Sequence, residues 1–314
     1  MAGVKIAFHS NQLSLRGTEV ALYDYARYNE ELLGNTSVIV SKAEDKNSSD
    51  LVVEKFNKRF KVFLYKDFSE VEKFLEDQGV DIFYAIKAGY QDGVFSSGRK
   101  TAVHAVFRHH DPHGDVYAYV SEWLGNKYKS PFVPHMITLP DVDGDLRQEL
   151  GIPKDAIVFG RHGGAETFDI KWARRVVKRV LRKRDDIYFL FLFTNKFTDH
   201  KNVIHLPGNQ DLEYKVKFIN TCDAMLHARR VGETFGLAIG EFSIKNKPVF
   251  TYGGKTKEAA HLHMLGDKAI TYNRWNLFKK IMEFKPDPSK DWNAYRAYNP
   301  ETVMQQFKKV FIDG

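Results

Sequence analysis

Residues 187–194, Ile187-Tyr188-Phe189-Leu190-Phe191-Leu192-Phe193-Thr194, form an apolar run of strand length between charged neighbours. A strand apolar on both faces needs cover on both, which helices flanking a parallel sheet supply. The rest of the chain fits that demand. Residues 4–9, 36–40, 59–65, 80–86, 101–106 and 116–120 read as strands, and 18–31 and 69–78 as amphipathic helices. Ser69 with Glu72 three residues on predicts a capping box for the second helix. Pro131, Pro134 and Pro140 punctuate residues 129–153, which read as a crossover between domains. The alternation then restarts. Strands are expected at 156–160, 187–194, 203–206, 224–227 and 248–251, and helices at 170–182, 211–221, 236–244 and 299–310. Such alternation predicts βαβ units, a mostly parallel sheet in each half, and an α/β protein of two Rossmann-like domains. The boundaries expected are 1–145, 146–295 and a last helical segment 296–314.

Composition supports two cores. The chain has 314 residues, 43% of them apolar, enough for two α/β domains of ordinary size. A single cysteine, Cys222, excludes an internal disulfide and a cysteine-based zinc site. No apolar window reaches the roughly 18 residues of a membrane span. Met1-Ala2-Gly3 leads straight into the first strand without the apolar stretch of a signal peptide. The expectation is a cytoplasmic protein, for which any membrane contact is peripheral. Net charge is uneven. Residues 1–150 carry 18 Lys+Arg against 22 Asp+Glu, whereas 151–314 carry 29 against 18, or +11. A basic second half suits an anionic ligand, a nucleotide phosphate or a polyanion. Much of the excess lies in 171–184, whose helical spacing reads as a solvated helix face.

The chemistry concentrates in 222–241. A strand reaching His227 runs into a turn, and the turn opens a helix near Thr234-Phe235-Gly236. The N–H groups of that first turn make an anion site, and Gly236 lets a phosphate approach the backbone. Glu233 precedes the helix, and Glu241 follows two turns in. One short element thus offers a hydroxyl acceptor, a phosphate cradle and a second hydroxyl acceptor in line.

Glu233, Thr234, Phe235, Gly236, Glu241 and Lys247-Pro248-Val249 resemble the E-x7-E signature of retaining glycosyltransferases of the GT-B fold, especially glycosyltransferase family 4. The resemblance implies two Rossmann-like domains facing each other across a cleft, with the last helix crossing back to the first domain. It implies that Glu233 contacts hydroxyls of the donor sugar, Glu241 the ribose, and the backbone of Phe235, Gly236 and Leu237 the phosphates. Thr234 belongs to the same strip. Phe159-Gly160-Arg161 matches the strand that ends in a diphosphate-binding arginine. The companion lysine expected some five residues on is absent, and Lys171 or Lys196 would have to replace it. In Ser14-Leu15-Arg16-Gly17-Thr18-Glu19, Gly17 and Glu19 fit the glycine-rich loop that faces donor and acceptor, while Arg16 stands where a glycine is usual. The loop Asn195-Lys196-Phe197-Thr198 would lie beside the nucleotide base.

The family often places a histidine at the end of an N-domain strand, near the donor sugar; His104 or His109 could fill that role. His109-His110-Asp111-Pro112-His113 does not share one face and lacks a completing ligand, and Asp141-Val142-Asp143-Gly144-Asp145 lacks the distal glutamate of a calcium loop. No metal site is expected. His261 and His263 read as surface residues of a late helix. The implied activity is metal-independent transfer of a sugar from a UDP- or GDP-linked donor to a glycan or glycoconjugate hydroxyl, with retention and without a cofactor. Two rivals remain: another enzyme on the same fold, such as a sugar-nucleotide epimerase or a phosphorylase, or a degenerate module that binds nucleotide-sugar or polyanion. No nucleic-acid motif accompanies the charge.

Overall fold

The structure, a computed structural model, describes residues 3–14, 16–46 and 48–314. Leu15 of the glycine-containing loop lies outside them, as do Met1 and Ala2. The chain divides into two units, Met1–Met136 with Tyr298–Gly314, and Ile137–Ala297.

The first unit runs β1 (Lys5–Ser10), α1 (Gly17–Glu31), β2 (Thr36–Lys42), α2 (Asp50–Asn57), β3 (Lys61–Tyr65), α3 (Ser69–Asp77), β4 (Ile82–Lys87), β5 (Lys100–Ala105), β6 (Val116–Tyr119) and α4 (Glu122–Tyr128). Its sheet has the order β3-β2-β1-β4-β5-β6, with the paired strands parallel. The second unit runs β7 (Ile157–His162), α5 (Lys171–Leu181), β8 (Ile187–Leu192), β9 (Val203–Leu206), α6 (Leu212–Thr221), β10 (Ala224–His227), β11 (Gly232–Glu233), α7 (Leu237–Ile244), β12 (Val249–Tyr252), β13 (Glu258–Ala259), α8 (Ala260–Leu265), β14 (Ala269–Tyr272) and α9 (Leu277–Glu283). Its large sheet, β14-β12-β10-β7-β8-β9, repeats the doubly wound order of the first. Helix α10 (Pro300–Phe307) belongs to the first unit, where Phe307 stacks on Phe8 and Tyr25.

Several local expectations change. Ser69 is the first residue of α3 rather than its cap. Asp67 instead accepts from the Ser69 N–H, and Glu70 accepts from the Asp67 N–H at 3.0 Å, so the side-chain bonds at the helix start run between residues 67 and 70. Glu72 bonds Ser96 and Ser97 instead. Helices α2, α4 and α9 and strand β14 were not foreseen; each is at most eight residues long, too short for periodicity to stand out. No helix among the described residues is long and apolar enough to cross a membrane. In α5, Ala173, Val177, Val180 and Leu181 are buried while Arg175, Lys178, Arg179 and Arg182 face solvent.

The centre of the second sheet tolerates no side chain at Gly160. A Cβ there would lie 2.1 Å from Cys222 Sγ. Cys222 is fully buried, donates to Phe218 O, and has its thiol pKa pushed well up by burial. The thiol therefore acts as packing. Gly160→Ala should destabilise the protein by about 1–3 kcal/mol, and Cys222→Ala in the same chain should recover part of that loss. Urea denaturation of the single and double variants measures the coupling; additive effects would refute the contact.

Candidate functional site

In the second unit β7, β10 and β12 end at one edge of the sheet, at His162, His227 and Tyr252. Past His227 the chain forms β11, which pairs with β13 in register Gly232 with Glu258 and Glu233 with Ala259. A Cβ on Gly232 would lie 1.8 Å from Glu258 O, and its φ of +83° suits only glycine. That close approach brings α8 directly behind Glu233. Phe235 is then buried, with its carbonyl taking the Tyr295 hydroxyl at 2.9 Å. Gly236, in left-handed backbone at φ +92°, caps α7, and no side chain caps the helix's first turn. The amides of Leu237, Ala238 and Ile239 occupy that turn, the arrangement that favours an anion.

Glu233 is held from two sides. Oε2 takes Arg229 at 2.5 Å, and Oε1 lies 3.2 Å from His227 Nε2. Behind it, Thr251 Oγ1 lies 2.9 Å from His227 Nδ1 and 3.2 Å from His261 Nε2, and His261 Nδ1 accepts the Glu233 amide at 3.3 Å. Burial raises the carboxyl's pKa, but the His227 bond and the Arg229 charge outweigh it and set it at about 2. His261 was expected at the surface; it is 1% exposed, while His263 is exposed. It occupies the first turn of α8, which β13 presses inward, a placement that no short-range pattern encodes.

Glu241 is the polar residue of an otherwise apolar stretch of α7. Its Oε1 takes Lys215 of α6 at 2.9 Å. His162 Nε2 lies 2.9 Å from Oε2 but out of line for a hydrogen bond. Burial again works against the charge, and Lys215 and His162 overcome it, leaving the carboxyl at about 2. Arg161, 3% exposed, donates to Thr194 Oγ1, Thr167 Oγ1 and, at 3.1 Å, Gly164 O. All three are uncharged oxygens. Burial lowers its pKa to about 10, with the nearby Glu233 charge opposing. At neutral pH it is a desolvated cation whose bonded partners carry no charge, the state in which a guanidinium gains most from an anion.

The other expected residues disperse. Lys171 is exposed at the start of α5, and Lys196 pairs with the exposed Asp199. Arg229 and Arg174 are the cations whose charge reaches Arg161. Asn195 is exposed, and its amide donates to Ala165 O at 2.9 Å, tying the loop after β8 to the loop after β7. Phe197 packs on Phe168 and Phe191, whereas Phe193 presents the exposed ring. In the first unit His104 has no exposed surface; Tyr84 Oη lies 2.6 Å from its Nδ1 and Val133 O 2.8 Å from its Nε2. Both ring nitrogens are engaged inside the core. His109 is exposed, with its ring edge-on to Tyr90. His110 stacks on Tyr128, and among the described residues no group of three His, Cys, Asp or Glu is placed to hold a metal ion.

Gly17 is exposed at the start of α1. Glu19, 2% exposed, accepts Ser10 Oγ at 3.0 Å and Ser14 Oγ at 2.5 Å. Burial pushes its carboxyl up to about 7, and the serine bonds only partly offset this. The folded pKa lies above the unfolded one, so the stability from neutral Glu19 is full below about pH 4.5 and is lost as pH rises through about 7. Glu19→Gln stays neutral. Its stability relative to wild type should improve by up to about 3 kcal/mol between pH 4.5 and 8, read by denaturant unfolding at both pH values. A pH-independent difference would refute the assignment.

No protein-family model and no curated protein matches the chain. Solved structures do match its fold. Anabaena HepE in complex with UDP and glucose superposes with a TM-score of 0.73 at 14% identity, over 98% of either chain. A glycosyltransferase from Rickettsia africae gives 0.65 at 13% identity, over 99% of this chain and 95% of that one. A Listeria monocytogenes protein assigned as a UDP-N-acetylglucosamine 2-epimerase gives 0.62 at 12%, over 100% and 98%. At these identities the likeness is one of fold, and the fold is GT-B: an α/β chain of two Rossmann-like domains, each built on a parallel six-stranded sheet.

Proposed function

We propose that the chain is a retaining glycosyltransferase of the family 4 type, moving a sugar from a nucleoside-diphosphate donor to a hydroxyl of a glycan or glycoconjugate. The observation that carries this reading is Arg161, a buried guanidinium bonded only to uncharged oxygens, on the strand beside the one that leads to Glu233 and the uncapped start of α7. The bound UDP and glucose of HepE support uracil as the base. In this reading the diphosphate lies against the backbone of Phe235, Gly236 and Leu237 where α7 begins, with Arg161 and Arg229 as its two cations. Arg229 takes the place expected of Lys171 or Lys196. Glu233 accepts hydroxyls of the sugar, Thr234 flanks it, and Glu241 accepts from the ribose. The exposed ring of Phe193, beside Asn195, offers the base a face. In the first unit, exposed Gly17 remains the proposed donor contact and exposed His109 the proposed histidine near the donor sugar, while His104 lies in the core with both ring nitrogens engaged.

The reaction breaks the bond from sugar C1 to the diphosphate and forms one from C1 to the acceptor oxygen, whose proton leaves with the diphosphate. Charge grows on the leaving oxygens as the bond breaks. Fixed amides and guanidinium groups stabilise it without reorganising, which makes metal-free transfer workable.

A thermal-shift screen of UDP-, GDP- and ADP-sugars identifies the donor, and release of free nucleoside diphosphate from that donor measures turnover. Glu233→Ala should lower turnover about 100-fold or more. Glu241→Gln should instead weaken binding of the free nucleoside diphosphate about tenfold with kcat near wild type. Wild-type turnover in Glu233→Ala would sink the reading. Conversion of the UDP-sugar to its C2 epimer without transfer would put the epimerase reading in its place.

A further inference from the structure

We propose that His227, Thr251 and His261 are positioning residues for Glu233, joined in a closed, one-way ring of hydrogen bonds that leaves its backbone amide and returns to its own carboxylate. The inference rests on the reading of Glu233 as the contact to the donor sugar.

The direction of the ring follows from its two fixed ends. A backbone amide can only donate, so His261 Nδ1, 3.3 Å from the Glu233 amide, must accept. A neutral imidazole with Nδ1 accepting carries its proton on Nε2. Burial keeps His261 neutral, with its pKa pushed down to about 3. Its Nε2–H therefore donates to Thr251 Oγ1 at 3.2 Å. The threonine hydroxyl has one proton to give, and His227 Nδ1 is 2.9 Å away. His227 then holds its proton on Nε2, which faces Glu233 Oε1 at 3.2 Å. An ionised carboxylate can only accept, so the far end demands the same order. Reversing the ring would set acceptor against acceptor at Glu233 Oε1 and donor against donor at its amide.

The ring is a support with one open member. Thr251 and His261 are at most 1% exposed and the His227 side chain 5%, whereas the Glu233 side chain is 21% exposed. Its members come from β10, β12 and α8, with His227 and Thr251 directly paired across the sheet. Arg229 holds the second carboxylate oxygen at 2.5 Å. Glu233 thus cannot turn about its carboxyl bond without breaking a bond on each oxygen. Rotational freedom at that carboxylate would misplace the sugar, and a misplacement of about 1 Å can cost about 100-fold in rate.

Two measurements on the full chain test this. The first is nitrogen NMR of imidazole-labelled protein at pH 7 without ligand. Both His227 and His261 should appear as neutral Nε2–H tautomers. A protonated ring or an Nδ1–H tautomer at either position overturns the ring. The second compares Thr251→Val, which keeps shape and removes the hydroxyl, with Thr251→Ser, which keeps the hydroxyl. With UDP-glucose or the donor the screen selects, Thr251→Val should lower kcat about tenfold or more, while calorimetric affinity for UDP stays within about twofold. Thr251→Ser should retain near wild-type kcat. Wild-type kcat in a folded Thr251→Val chain overturns the positioning role; so does a loss of kcat that Thr251→Ser fails to avoid, since wild-type rate in the serine variant is required even if the valine variant does not fold. A wild-type chain inert toward every nucleotide-sugar would sink the transfer reading and the positioning role together, while the tautomers judge the ring separately.

Discussion

Parallel pairing puts the carboxyl ends of all strands of a sheet at one edge, and the candidate site depends on that constraint. Because β7, β10 and β12 run the same way, Arg161 and His162, His227, and Thr251 arrive at the same rim of the second sheet. Residues scattered over ninety positions of the chain meet there without any of them being close in sequence. The same geometry explains why the site sits where the strand order reverses, between β7 and β10, the place where a doubly wound sheet opens a crevice.

Both glutamates of the site are anions that the fold neutralises locally, Glu241 buried and Glu233 partly open. Glu233 answers to Arg229 and His227, and Glu241 to Lys215 and His162. Glu241 could not stay ionised in such surroundings without its partners. Arg161 is handled in the opposite way, with hydroxyls and a carbonyl in place of a carboxylate. The basic excess of the second half therefore has two components. One is the solvated face of α5, and the other is a small set of buried cations matched to specific groups.

Most of the strands, the main helices and the turn from Glu233 to Gly236 were legible because they rest on short-range patterns: apolar runs, helical spacing, and glycine ahead of a helix. What was illegible rests on tertiary placement. His261 looked like a surface residue because nothing local announces that β13 pairs with β11 and turns α8 inward. Arg229 reaches Glu233 from the loop after β10, a placement that the spacing after Arg161 does not encode. Lys215 likewise lies on α6, whose sequence gives no hint that it faces Glu241. The start of α3 shows the same limit on a smaller scale, since Asp67 and Ser69, two positions apart, both offer side-chain oxygens there, and the structure uses Asp67 to take the Ser69 N–H.

The first unit is sewn shut by the end of the chain: Phe307 and Phe311 complete its aromatic core, and Lys100 Nζ donates to Ile312 O at 2.9 Å. The second unit is a single uninterrupted stretch. As the polypeptide leaves the ribosome, the later-made unit therefore has all its parts first, and the earlier-made core must wait with Phe8, Tyr25 and Tyr84 partly uncovered until α10 emerges. Synthesis order and completion order are inverted, and the interval between them is when this molecule is most exposed to aggregation.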